Sequence, residues 1–309
     1  MNDASKKLKI DGIVSKFFLS IAIICASVIV FIVFFIFLKG IRPFILKYQH
    51  DGQIYTASLG KFILGTVWTN YNYGILGMLI NTIYIVFIAS VFAFVISVLT
   101  ALFIVRIAPK KLGKSFEMVI ELLASIPSIV FGLFGQGFIC PMVRDFAGAF
   151  GCQTAGGSST LSTIIVLIMM MIPTITMLSI TSMRAIKQDQ INASLALGAT
   201  KAQTDFKIVI GGAKSGIFSA MILGIGRALG EATAVSMVCG NAAEGPVFNL
   251  FGITRTLTSP MMLGLFEFYF KNRNYILGTI IMLLIMILLI VLILGVNLGL
   301  NKLRKKMIK

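Results

Sequence analysis

Two side chains in this sequence stand where charge is costly, and their spacing points to a shared task. Arg227 and Glu231 lie four residues apart near the middle of an apolar stretch of membrane length, 216–240. Charges at that depth are retained where they face a protected interior and serve an ion or substrate path, or where they neutralise each other as a structural pair. A guanidinium stays charged and presents a planar fork of N–H donors that suits phosphate oxygens. In a continuous helix Glu231 falls one turn from Arg227 on the same face. It then holds the guanidinium while the path is empty, and an arriving anion competes with it for the arginine.

The helix that must carry this pair has a small residue at every fourth position: Gly216, Ala220, Gly224, Ala228, Ala232, Ser236 and Gly240. Small residues at that spacing let helices approach closely within a bilayer. A fourfold step overshoots the helical turn by roughly 40°, so the stripe winds and can meet more than one neighbour.

The rest of the chain supplies a membrane setting. Over 309 residues, 58% are hydrophobic and the mean hydropathy is +0.98, which excludes an ordinary soluble domain. The net charge of +16 does not indicate nucleic acid, because the cations gather at the ends of apolar runs. The single His50 and the cysteine spacing provide no metal site and no histidine-based catalytic centre. Cys25 and Cys239 fall within spans as small hydrophobes. Cys140 and Cys152 flank one short connection and can pair if it lies on an oxidising face.

Taken in order, a basic segment at 1–16 precedes a first span at 17–38, too long for a signal-peptide core. A mixed link at 39–76, with aromatic residues suited to an interface, leads to a permease-like core at 77–300. Its expected spans are 77–105, 117–140, 161–183, 216–240 and 276–300, and a basic tail follows at 301–309. Pro127 and neighbouring glycines are expected to kink or interrupt the third span. Ser125, Pro127 and Ser128 there form either a second wall of a path or a packing kink with self-bonded hydroxyls. Thr233 and Ser236 either face the path or pack as small residues. This is an all-α integral membrane protein with about six helices. The segments 1–16, 106–116, 184–215 and 301–309 hold 18 Lys/Arg in 68 residues, against 8 in 93 for the other three links. Both termini are therefore expected in the cytoplasm of a multi-pass protein of a bacterial cytoplasmic membrane.

The link at 184–215 is patterned like a helix-turn-helix. Asp189 is placed to cap a short helix through Ile191, Leu195 and Leu197, and Gly198 suits a left-handed helix end. Thr200 to Gln203 is a capping-box pattern opening a second helix, with Gly211-Gly212 expected to stop it. An amphipathic segment lying on lipid is the alternative to a protein-docking knob. A glycine turn fixes a shape that lipid binding does not require.

At this point the chain resembles a known family. The run Asn192-Ala193-Ser194-Leu195-Ala196-Leu197-Gly198 is similar to the EAA coupling loop of ABC-importer permeases. Asn192 stands for the usual glutamate, Ser194 for the second alanine, and Gly211 where proline is common. The stretches SIPSIVFGLFG (125–135) and GRALGEATAVSMVCGN (226–241) resemble motifs of phosphate-importer permeases. Residues 232–235 and 65–68 are closer to the PstC type than to its PstA-like sister. The resemblance covers roughly residues 60–300. It implies a type I ABC-importer fold with a homologous sister permease, a cytoplasmic ATPase dimer and an extracytoplasmic phosphate-binding protein. The sequence lacks the Gly-x-x-x-x-Gly-Lys-Ser/Thr nucleotide loop, so the chain cannot hydrolyse ATP by that route and ATP hydrolysis is expected in a partner. The expectation is a transport subunit, not an enzyme, with no cofactor. With the membrane-depth charges and the kinked third span, the expected path residues are Arg227, Glu231, Ser125, Pro127, Ser128 and Thr233. The resemblance assigns ATPase coupling to Asn192, Ala193, Ser194, Leu195, Leu197 and Gly198. An importer of sulfate or molybdate, and an ATP-independent anion channel or secondary transporter, are the alternatives at this stage.

Overall fold

The structure is a computed structural model that describes residues 2–40, 42–45, 48–50, 53–55, 58–68, 74–263, 290–291, 293–302 and 305. Most of the expected last span at 276–300 lies outside them; its end, 293–300, is helical and the helix continues to 302. Among the described residues, five stretches are long and apolar enough to cross a membrane. They are Ile13–Phe35, Leu76–Ile107, Ser128–Ala149, Thr160–Arg184 and Lys201–Leu229. Apart from a small antiparallel hairpin of β1 (Tyr48–His50) and β2 (Gln53–Tyr55), the regular elements are helical. The first helix, α1 (Asn2–Gly40), is followed by the short helices α2 (Arg42–Ile45) and α3 (Leu59–Leu64). The apolar side chains of α1 are exposed, including Phe17, Phe31 and Phe34, as a span presented to lipid requires.

The core is a three-helix contact among α4 (Leu76–Leu102), α8 (Thr160–Arg184) and α11 (Gly211–Leu229). In α4 the small residues Ala89, Ala93, Ser97 and Ala101 recur every fourth position and are fully buried. Ser97 also donates to the Ile172 carbonyl of α8 at 3.2 Å. In α11 a Cβ on Gly224 would lie 2.8 Å from the Ile175 side chain, and Gly216 abuts Ser182. The larger Leu167, Met171 and Ile175 of α8 share this cluster with Ala220 and Ala228 of α11. Bilayer interiors offer helices little hydrophobic drive to associate, so close approach at small residues has to supply the packing.

The third apolar stretch is divided. An amphipathic helix, α5 (Lys110–Ser125), stops at Ile126, whose backbone is extended. Pro127 has no N–H and disfavours helix in the residue before it. A new helix then runs through α6 (Ser128–Phe134), a π-helical turn at Gly135–Ile139 and α7 (Cys140–Ala149). The apolar helix of membrane length is therefore Ser128–Ala149, later than 117–140, because Lys110, Lys111, Lys114, Glu117 and Glu121 make the preceding segment amphipathic. Cys140 is buried, Cys152 is exposed, and both are free thiols. Cys239 is buried as expected of a small hydrophobe, whereas Cys25 lies on the exposed surface of α1.

The region around 201–229 departs from expectation. The short helix α10 (Lys201–Thr204) passes through a π-helical turn, Asp205–Ile210, straight into α11. Gly211 and Gly212 do not stop it. A glycine pair weakens a helix by about 1 kcal/mol per residue, too little to end one anchored on both sides by buried Val209, Ala213 and Ile217.

These contacts separate two glycines of the same helix. Gly224→Leu is expected to destabilise the detergent-solubilised protein by about 1–3 kcal/mol through overpacking against Ile175. Gly211→Ala, where a Cβ meets nothing within 4 Å, should leave stability unchanged or raise it by about 0.5–1 kcal/mol. Thermal unfolding of both variants checks the contrast.

Candidate functional site

Arg227 lies in the last turn of α11, and its Nη1 donates to the Thr174 hydroxyl of α8 at 3.0 Å. Thr174 is about 20 Å from one end of α8 and 15 Å from the other at 1.5 Å per residue, so the guanidinium sits near mid-height of that span. Pro173, within α8, removes a backbone hydrogen bond at the same level. Arg227 is half-buried. Asn297, from the final helical residues, brings its amide beside Gly226. Its Oδ1 is buried without a hydrogen-bond partner among the described residues.

The expected single helix over 216–240 is not formed. Helix α11 ends at Leu229, Gly230 to Ala232 form a break, and a short α12 (Thr233–Val238) follows. Glu231, within the break, serves the second helix: its Oε1 accepts the Ala234 N–H of the first turn of α12 at 3.0 Å. The Glu231 carbonyl, freed by the break, accepts the Thr258 hydroxyl at 2.6 Å. The Arg227–Glu231 pair drawn from i, i+4 spacing is therefore corrected. Once the backbone leaves the helix the two side chains separate, one bonding α8 and the other capping α12.

Irregular backbone within a bilayer is tolerated only where protein groups satisfy it or where it lines a cavity. Residues of α4 supply those groups. Asn81 accepts the Val247 N–H at 2.9 Å and donates to the Arg255 carbonyl at 3.2 Å. Thr82 accepts the Leu257 N–H at 2.9 Å, and Thr254 N–H reaches the Cys239 carbonyl at 2.7 Å. Gly77 of α4 packs on Gly245, where a Cβ would stand 2.7 Å from backbone. The chain after α12 is thereby held against the break.

The remaining candidates divide. Helix α6, beginning at Ser128, packs on α12, beginning at Thr233: a Cβ on Gly132 would fall 2.9 Å from the Ala234 Cα. The Thr233 hydroxyl points to the Met262 sulfur at 3.9 Å, and Ser236 donates to the Thr233 carbonyl. Pro127 occupies the position before α6. Ser125 stands apart on the exposed end of α5, its hydroxyl returned to the Leu122 carbonyl at 2.7 Å. Of the stripe, Gly216, Ala220, Gly224 and Ala228 share α11, whereas Ala232 lies in the break. Sequence spacing did not single out Thr174, Asn297, Asn81 or Thr82. Polar residues within apolar spans were the available signal.

The helix-turn-helix at 184–215 forms a knob. Helix α9 (Gln188–Ala196) ends at Gly198, with φ +84°. Thr200 and Gln203 make the reciprocal capping box that opens α10. Asp189 lies in the first turn of α9, whose cap position is Lys187. The Ser194 and Thr204 hydroxyls are 2.9 Å apart and tie the two limbs. Ile191 is buried against Ile180, Met183 and Val209. Asn192, Ala193, Leu195, Leu197 and Gly198 are exposed, and Leu197 is 89% exposed at the turn.

Comparison with known proteins agrees with this architecture. The family described as "Binding-protein-dependent transport system inner membrane component" matches residues 93–306. The probable ABC transporter permease protein YqgH of Bacillus subtilis is 31% identical over 248 residues, 79% of this chain and 76% of that protein. The phosphate transport system permease protein PstC 2 of Mycobacterium tuberculosis is 34% identical over 193 residues, 58% of this chain and 60% of that one. In fold the chain is similar to an inward-facing MetNI methionine ABC transporter structure. The TM-score is 0.54 at 19% identity, over 73% of this chain and 92% of that one. With a break held inside a helical membrane core and a structured knob at one end, the chain belongs to the family of inner-membrane components of binding-protein-dependent transport systems, the permeases of ABC importers.

Proposed function

We propose that this chain is one membrane half of an ATP-driven importer of inorganic phosphate. In this reading it works with a homologous sister permease, a cytoplasmic ATPase dimer and an extracytoplasmic phosphate-binding protein. Arg227 carries the proposal: it is a permanent cation near mid-height of the span, held among the described residues by the Thr174 hydroxyl rather than by a carboxylate. Among the described residues one N–H of its fork is used, and the other donors serve a passing oxyanion. The chemistry alone suits sulfate or molybdate as well. Relatives named phosphate transport permeases support phosphate.

Glu231 acts in this scheme through the backbone. By capping α12 it keeps the break in shape, while the Arg227 guanidinium bonds Thr174. Ser128 and Thr233, at the starts of two packed helices, with Pro127 and the more remote Ser125, form one wall of the path. The sister permease completes it. Lys/Arg density supports a cytoplasmic location for both termini and for the knob. There Leu197 and the turn at Gly198 dock the ATPase, and the uninterrupted helix Lys201–Leu229 carries its movement to Arg227.

Three variants test these assignments in proteoliposomes containing the assembled complex. Arg227→Ala should lower ATP-dependent phosphate uptake at least about tenfold, the scale of one lost charge-assisted contact, and unchanged uptake removes the arginine from the path. Glu231→Ala should lower stability by about 0.5–2 kcal/mol, whereas Glu231→Gln, which retains an acceptor oxygen, should stay near wild type. Thermal unfolding separates them, and equal losses would contradict the capping role. Gly198→Trp combines a left-handed backbone position with a bulky ring at the exposed turn and should uncouple ATP hydrolysis from uptake without preventing membrane insertion.

A further inference from the structure

Arg106 and Asp205 are joined by an ion pair that no part of the proposed transport scheme uses. The Arg106 Nε to Asp205 Oδ1 distance is 2.6 Å, with the side chains 21% and 12% exposed. The pair spans 99 positions of sequence and connects two π-helical turns. Arg106 lies in Phe103–Ile107, which ends the α4 span, and Asp205 opens Asp205–Ile210, which leads from the knob into α11. A π turn takes an extra residue and rotates the helix beyond it, and such turns gather at functional positions. Here they turn a cation and a carboxylate toward each other.

Three observations give the contact a mechanical meaning. Asp205 follows Thr204, whose hydroxyl bonds Ser194 on the other limb of the knob, so the carboxylate is fixed to the knob as a unit. Ile104 and Val209 are buried around it in one cluster with Ile191 of the knob. Those apolar contacts can slide, whereas a short charge-assisted hydrogen bond is directional, and a carboxylate this buried is costly to leave unpaired. At its other end, α4 holds the segment over the α11–α12 break through Asn81 and Thr82. The knob therefore has two routes to the break: directly along α11, and through Arg106 along α4.

We infer that the Arg106–Asp205 pair is a positioning latch that makes α4 move with the ATPase-docking knob, so that both boundaries of the break respond to one input. This rests on the importer reading, so wild type is measured first. If the wild-type complex shows no ATP-dependent phosphate uptake, that reading fails on its own account. Given wild-type uptake, phosphate transported per ATP hydrolysed is compared for Asp205→Asn, Arg106→Gln, the double variant and Arg106→Lys.

The latch predicts that each neutralised single variant keeps ATPase activity within about twofold. Phosphate moved per ATP should fall about tenfold, within the range of couplings carried by packed networks, with KM for phosphate unchanged. The double variant should be no worse than either single one, and Arg106→Lys, which retains the cation, should recover most of the ratio. An unchanged ratio in the single variants overturns the inference, as do multiplicative losses in the double variant. Parallel loss of ATPase, uptake and complex yield assigns the pair a purely structural role and also overturns it. If Asp205→Asn fails to assemble, Arg106→Lys against Arg106→Gln decides: equal ratios overturn the latch, and a higher ratio for lysine supports it.

Discussion

Close approach of backbones is the constraint on which the rest of this structure depends. Water drives soluble helices together by expelling their apolar surface, but hydrocarbon chains solvate leucine as well as leucine does, so packing must hold the spans. Helix α8 carries large side chains and is met by two helices that present small ones: Ala89, Ala93, Ser97 and Ala101 on α4, and Gly216, Ala220, Gly224 and Ala228 on α11. Gly224 against Ile175 and Arg227 on Thr174 lie within one turn on both helices. The contact that packs α11 is thus the contact that positions its cation.

The break after Leu229 is possible because of that frame. Ending a helix inside a membrane exposes N–H and C=O groups to a medium that cannot bond them. The molecule supplies the bonds from three directions: Glu231 caps α12, Thr258 takes the Glu231 carbonyl, and Asn81 and Thr82 bind the following segment. Each of these side chains reads as an isolated polar residue in an apolar or mixed stretch. Together they form one hydrogen-bonded collar around irregular backbone.

The knob has a different logic, because its shape comes from local chemistry. The left-handed Gly198 and the Thr200–Gln203 capping box are satisfied within a few residues, so its form survives whatever packs around it. Its attachment is a matter of tertiary structure. Ile191 enters the apolar cluster at the ends of α4 and α8, and Asp205 reaches Arg106. The uninterrupted helix from Lys201 to Leu229 then joins an exposed turn to a charge near mid-height of the span.

Much was legible in the sequence because its signals are local or additive. Hydropathy identified a membrane protein, the coupling motif and capping box delimited the knob, Pro127 marked a break, and fourfold small residues marked a packing face. What needed the third dimension was how backbone groups are satisfied. Gly211 and Gly212 are strong local breakers, yet the helix runs through them because it is packed at both ends. Gly230 and Glu231 look like the interior of one apolar span, yet the helix stops there: distant Thr258 bonds the freed Glu231 carbonyl, and Asn81 and Thr82 hold the segment that carries Thr258. The i, i+4 spacing of Arg227 and Glu231 implies a pair only while the helix continues. The sequence by itself determined that a cation and a carboxylate lie in this span. Tertiary structure alone decided that they serve different partners, because hydrogen bonds from elsewhere in the chain determine where a helix can end in a bilayer.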